Sequence, residues 1–219
     1  MKVQTQEILL RLLQEERVWR LFEIRKLDAM VAHAKGDDKA LALRAGTALL
    51  YAHWEGFVKK STELYLGYVE TQLKAKRVHY NQVSRNVLAV VLRKKAHQAS
   101  SSKRIGTFLE LADFFHAEYA DRFGVSLAGS ISTAANLTPA VLVEILATLG
   151  IEVCDDSITD RFEALDELVA DRNSVAHGEH IVPPAKVFSE RVQLVLSMTE
   201  WVQGALVDAA STNAHMLVR

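Results

Sequence analysis

The chain has 219 residues, of which 49% are hydrophobic and 24% charged, with a net charge of −1 and only ten Gly, three Pro and one Cys. Gly and Pro interrupt helices and are scarce here, so the composition fits one compact helical domain over residues 1–219 and excludes a disordered chain. No apolar run approaches the roughly 18 residues that a bilayer crossing needs, and the charged N-terminal segment is not a secretory signal. The lone Cys154 can form neither an internal disulfide nor a Cys-x-x-Cys zinc site, so the expected setting is a reducing cytoplasm.

Residues 3–34 place Ile8, Leu9, Leu12, Leu13, Leu21, Ile24, Leu27 and Val31 at helical spacing between charges, predicting a long amphipathic helix. Gly36-Asp37-Asp38 supplies a break and a capping signal ahead of a second long helix over 39–76, whose middle, residues 48–54, is apolar nearly all round. Between residues 71 and 109 stand nine Lys or Arg and no Asp or Glu. This stretch includes a helical pattern at 84–98 and, after Ser100-Ser101-Ser102, the start of another at 103–121. A stretch of this sign is either a set of solvated helix faces or a track for a polyanion; Arg93, Lys94, Lys95, Lys103 and Arg104 are the candidate RNA-binding residues.

Residues 123–137 are rich in Gly, Ser and Thr, which predicts an irregular insert or a short hairpin. Thr138-Pro139 is an N-cap followed by a proline at the first helical position, opening a short helix up to Gly150. Residues 157–177 are periodic and closed by Gly178, and Pro183-Pro184 starts a last helix through about residue 209. The fold class is therefore all-α.

The chemistry concentrates in Arg172-Asn173-Ser174-Val175-Ala176-His177-Gly178. At about 100° per residue, residues 162–177 gather Phe162, Ala164, Leu165, Leu168, Val169, Val175 and Ala176 into one apolar arc with Arg172 in its middle. Asn173, His177 and Asp166 fall on the edge of that arc; Glu163, Glu167, Asp171 and Ser174 fall opposite. An arginine facing an apolar surface needs a carboxylate, a partner subunit or an anionic ligand, and its planar fork suits phosphate. His177 sits in the last helical turn, where a ring can shuttle protons near neutrality. Asn173 can hold the histidine tautomer or a phosphate oxygen. Metal-free RNA cleavage needs a base for the 2′-hydroxyl proton, an acid for the leaving 5′-oxygen and a cation for the developing phosphorane charge, and one His and one Arg from each of two chains supply these. Equally, Arg172 can pair with an internal acid while Asn173 and His177 merely finish a helix.

The run Arg172 to His177 resembles the Arg, polar residue, three variable positions, His signature of the HEPN superfamily. Tyr51-Ala52-His53-Trp54-Glu55-Gly56-Phe57 and Ala135-Asn136-Leu137-Thr138-Pro139 are similar to a stand-alone bacterial branch of it. The resemblance implies a four-helix core with additional helices and a homodimer whose motif helices face each other. It also implies a metal-independent endoribonuclease acting as a toxin or effector in anti-phage or toxin-antitoxin systems, with an antitoxin or regulatory protein as a further partner. On the matched positions Arg172 and His177 are catalytic and Asn173 supporting. A non-catalytic HEPN-fold module that binds RNA or a nucleotide is the alternative, and a purely structural helical adaptor a third.

Glu55 either pairs with Arg172 or orients His177 from across the bundle, or forms an ordinary helix pair with Lys59. His180 lies past Gly178 in a turn. No metal site is expected among the eight histidines and no cofactor motif is present: there is no Gly-rich phosphate loop and no Gly-x-Ser-x-Gly elbow. Cys154, beside Asp155-Asp156, is expected to be structural, and Trp54, Phe57, Phe114 and Phe115 to pack in the core.

Overall fold

The computed structural model describes residues 3–101, 105–116, 121–133 and 135–217. Helix α1 (Gln6–His33) begins where the Thr5 hydroxyl accepts the Ile8 N–H, and it buries Leu9, Leu12, Leu13, Ile24 and Val31 along one face. Helix α2 (Gly36–Ala75) runs 40 residues, about 60 Å at 1.5 Å per residue. It starts three residues earlier than the sequence pattern predicts: Asp37 and Asp38 lie inside its first turn, where their carboxylates meet the positive end of the helix dipole. Its apolar middle makes it the central element, with Tyr51, Trp54, Phe57, Val58, Tyr65 and Val69 all buried. Gly46 is required by close approach, since a Cβ there would stand 3.0 Å from the Phe188 ring.

A short 3-10 turn (Tyr80–Gln82) leads to α3 (Arg85–Ser101) and α4 (Ile105–His116). Asp121, expected to end the helix of residues 103–121, lies in a bend beyond α4. The described residues of the 123–137 segment form a loop. Among the described residues there is no strand, only isolated bridges pairing His79 with Arg122 and Val83 with Met216. Side chains of neighbouring helices take the place of a strand partner. Lys94 Nζ donates to the carbonyls of Ser126 and Ala128 at 2.9 and 2.5 Å, and Arg93 donates to that of Ser130. Glu70 accepts from the Leu127 N–H at 2.8 Å and from the Ser126 hydroxyl at 3.1 Å. With these groups satisfied, the loop needs no ladder.

Helix α5 (Pro139–Thr148) is capped by the Thr138 hydroxyl, as the sequence predicts. The periodic stretch of residues 157–177 is two helices instead of one, α6 (Asp156–Thr159) and α7 (Phe162–Ala176). Asp155 caps the single turn of α6 through the Ser157 N–H. At the break Arg161 donates to the Ser197 hydroxyl at 2.8 Å, tying the junction to the last helix, α8 (Ala185–Ser211). Periodicity survives the break because Ile158 and Leu165 both reach the core.

Helices α1, α2, α7 and α8 pack against one another as a four-helix core, while α3 packs on α4 and α5 and α5 returns to α7. Helix α7 is thereby gripped from two sides. The C-terminal tail closes the far end of α2: the Ser84 N–H donates to the His215 carbonyl, and the buried His215 ring stands edge-on to Tyr68. Neither nitrogen of that ring has a hydrogen-bond partner among the described residues. Burial first, and the Lys76 charge second, push its pKa down to about 4.

The unfolded chain protonates His215 near the ordinary histidine value and the folded chain only near 4, so stability is full above the ordinary value and declines as pH falls through this window. Urea unfolding at about pH 7.5 and about pH 5 should show the parent losing more stability than His215→Leu over that interval. Equal losses would mean that the ring is not buried in its neutral form.

Candidate active site

Helix α7 ends in a way its sequence dictates. Gly178 takes φ 82, the left-handed conformation that closes a helix, with its N–H on the Val175 carbonyl and the Glu179 N–H on that of Ser174. Behind the turn, Arg44 of α2 donates to the Glu179 carbonyl at 3.0 Å and fixes the exit of the chain. On the face of α7 turned to α8, Glu167 and Asp171 hold Arg191 at 3.3 and 2.5 Å. The opposite pole of the expected arc is the core: Leu165, Leu168 and Val169 are buried, while Val175 is half-buried and Ala176 exposed.

Arg172 lies against α2. Its guanidinium sits over the Tyr51 ring, 4.4 Å from the centroid, a cation–π contact that supports the plane of the fork. Nη1 donates to Asn136 Oδ1 and to Asn173 Oδ1, both at 2.7 Å. Nη2 lies 3.8 Å from Glu55 Oε2, within ion-pair range and beyond a hydrogen bond. The side chain is 26% exposed. Of the three expectations for Glu55, the structure brings it within ion-pair range of Arg172; among the described residues it contacts neither His177 nor Lys59 through an ion pair. Asn173, expected to serve His177 or a phosphate, spends its carbonyl oxygen on Arg172.

Two other arginines of the chain show what a structural arginine looks like in this fold. Arg191 is buried between two carboxylates, and Arg20 is buried with Glu16 at 2.5 Å and the Glu16 carbonyl at 3.0 Å. Arg20 too hydrogen-bonds through Nη1 alone among the described residues, so Arg172 differs in its acceptors. Its hydrogen bonds go to two neutral amide oxygens, which orient it without cancelling its charge, and the edge formed by Nε and Nη2 donates no hydrogen bond to the described residues. That edge is the one a phosphate meets with two oxygens.

His177 is the C-cap residue and is exposed; among the described residues its ring makes no hydrogen bond. His180 is exposed as well. The sequence reading missed Asn136 and the ring of Tyr51 as parts of the site, although both lie in the two segments singled out for their resemblance. The Tyr51 hydroxyl also accepts the Leu137 N–H at 2.6 Å, and burial foremost, reinforced by the Glu55 carboxylate, keeps it protonated.

Three of the candidate RNA-binding cations make contacts within the chain. Arg93 and Lys94 peg the 123–131 loop, and Lys95 Nζ lies 4.7 Å over the Phe114 ring. Lys103 and Arg104 lie outside the described residues. Cys154 is exposed, not packed, and of the four aromatics expected in the core Phe115 is 48% exposed. Among the described residues no group of three His, Cys, Asp or Glu is placed to hold a metal ion. Among the described residues no helix is long and apolar enough to cross a membrane. A groove of about 650 Å³ between residues 150–155 and α8 is lined by Glu152, Asp155, Trp201 and Asp208 and includes neither Arg172 nor His177.

Among known protein families, the model described as RiboL-PSP-HEPN matches residues 15–194. No curated protein and no solved structure matches the chain. The matched span contains α2, α7 and every residue of the Arg172 cluster.

The contrast among arginines sets a stability test. Arg191→Ala leaves two carboxylates facing each other beside the core and should cost about 2–3 kcal/mol, whereas Arg172→Ala should cost about 1 kcal/mol or less. Denaturant unfolding of the two variants reads the difference; a larger loss for Arg172→Ala would make it a structural arginine.

Proposed function

The chain belongs to the RiboL-PSP-HEPN family, and from that premise we propose that it is a metal-independent endoribonuclease, working as a homodimer and serving as a toxin or effector in bacterial defence or toxin–antitoxin systems. Family membership supports a nuclease or RNA-related function. The observation that carries the finer reading is the state of Arg172: a cation oriented by neutral oxygens, with a bidentate edge open. A structural arginine would be neutralised; this one is kept charged for a ligand that brings its own negative charge.

In this reading the phosphodiester lies on the Nε and Nη2 edge, and Arg172 stabilises the additional charge of the phosphorane-like transition state. His177, exposed at the helix end, exchanges protons with the ribose 2′-hydroxyl or the leaving 5′-oxygen. A single chain brings one such histidine, and the in-line reaction needs both an acid and a base. A second copy supplies the other.

The surface for that copy lies beside the site. On α2, Tyr51 and Glu55 face α7, while Gly46 faces α1 and α8. At about 100° per residue, Leu41, Ala45, Leu49, Ala52 and Gly56 fall on the arc between those faces. Leu41 is 64% and Leu49 51% exposed, and Ala45 and Ala52 are exposed too. An apolar stripe of leucines and small residues admits close approach of a two-fold mate. A toxin role adds an antitoxin or regulatory protein as a second partner.

One observation favours a non-catalytic module that binds RNA or a nucleotide: no group of the described residues orients the His177 ring. Such a module predicts salt-dependent RNA binding with the RNA recovered intact.

Purified protein should cut single-stranded RNA in EDTA, with Arg172→Ala and His177→Ala each lowering the rate by about 100-fold or more. Cleavage that disappears with chelator, or survives both substitutions, contradicts the mechanism. Leu49→Glu should convert a dimer to a monomer in sedimentation and abolish cleavage while the helical circular-dichroism signal stays; a monomeric parent that cleaves would remove the second copy from the account.

A further inference from the structure

Asn136 belongs to the loop ahead of α5, 36 residues before Arg172 in the chain, yet its side chain is one of the two hydrogen-bond partners of the guanidinium. The residue after it, Leu137, is buried and donates its N–H to the Tyr51 hydroxyl. The ring of the same tyrosine lies under the guanidinium. The contacts close a cycle: Tyr51 ring to Arg172, Arg172 to Asn136, Asn136 along the chain to Leu137, and Leu137 back to the Tyr51 hydroxyl. Thr138 then caps α5, so the chain immediately after Asn136 is anchored at two successive residues.

From this geometry we propose that Asn136 and Tyr51 are positioning residues for Arg172, and that the 135–138 loop sets which edge of the guanidinium meets the phosphodiester. The inference rests on the nuclease reading of Arg172 given above. The two Nη1 protons are consumed by Asn136 and Asn173, which leaves the Nε and Nη2 edge as the bidentate one. The Tyr51 ring blocks one face of the fork and restricts rotation out of plane. Glu55, 3.8 Å from Nη2, is the competing anion. Without Asn136 the guanidinium is free to turn towards Glu55 and form the closed ion pair that would cancel its charge. Neutral amide acceptors are suited to this task, because a carboxylate at residue 136 would hold the fork equally well while spending its charge.

The cycle distinguishes positioning from mere stability. Loss of Asn136 is expected to lower kcat by about 10- to 100-fold with KM for RNA changed less than about threefold, since an oriented charge matters most in the transition state. Tyr51→Phe keeps the ring and removes the hydroxyl that holds Leu137, so it should show the same signature. Because both substitutions release one loop, their effects should not add in the double variant. Asn136→Asp restores the acceptor oxygen and should recover the orientation of Arg172 but little of kcat, its charge neutralising the fork.

The experiment measures kcat and KM for RNA on the full chain for the parent, Asn136→Ala, Asn136→Asp, Tyr51→Phe and the Asn136→Ala/Tyr51→Phe pair, with unfolding midpoints as a control for folding. Alongside, the Arg172 Nε–H signal is followed by nitrogen-15 NMR, assigned by its absence from Arg172→Lys. Parental kcat in Asn136→Ala and Tyr51→Phe, or fully additive losses, overturns the proposal. The NMR arm reads Arg172 with or without cleavage. If no variant and no parent cuts RNA but the Nε–H bond is rigid by nitrogen-15 relaxation in the parent and in Asn136→Asp, and mobile in Asn136→Ala, the positioning stands and the nuclease reading fails. If that relaxation is unchanged in Asn136→Ala, the positioning fails whatever the activity.

Discussion

The site depends on one constraint: a positive charge must be held in a fixed orientation inside a helical protein without being neutralised. A guanidinium is always ionised, and burying it near the core is costly unless its donors are satisfied. The usual solution is a carboxylate, and the chain uses it for Arg20 and Arg191. At Arg172 it uses two amide oxygens and an aromatic face, keeping the carboxylate of Glu55 at 3.8 Å. The result is an oriented cation with an open edge.

Several elements of the fold converge on that arrangement. Helix α2 supplies Tyr51, Glu55 and Arg44; α7 supplies Arg172 and Asn173; the segment between α5 and the preceding loop supplies Asn136. Helix α7 cannot rotate about its axis without breaking something on either side, since Glu167 and Asp171 grip Arg191 of α8 while Arg172 engages α2. The polar sorting around this helix, acids on one side and Arg172 on the other, is a packing device as well as a chemical one. The long excursion through α3 and α4 returns to the core at Asn136, ahead of α5.

Much of this was legible in the sequence, for identifiable reasons. Helical spacing in residues 3–34, the apolar middle of α2 and the Thr138-Pro139 cap are local signals, and each produced the expected helix. Local signals fail where tertiary partners decide. The break at Asp160 and Arg161 is invisible to periodicity because it is stabilised by Ser197 of another helix. The loop around residues 126–130 is shaped by Glu70, Arg93 and Lys94, so two cations of the basic stretch hold a loop, a contact that local charge does not reveal. In the site, Arg172 was marked by its place in an apolar arc. The part played by Asn136 rests on a contact spanning 36 residues, which no spacing rule encodes.

The most direct measurement is the salt dependence of binding to an RNA whose 2′-hydroxyls are methylated, so that cleavage is blocked and only the oriented charge is read. If Arg172 presents a free positive edge to phosphate, Arg172→Gln should weaken binding and make the slope of log K against log salt shallower by about one. Arg191→Gln, whose charge is already matched by Glu167 and Asp171, should leave that slope unchanged wherever the variant folds. An identical slope for the parent and Arg172→Gln would contradict the account, because the charge of Arg172 would then be spent within the protein.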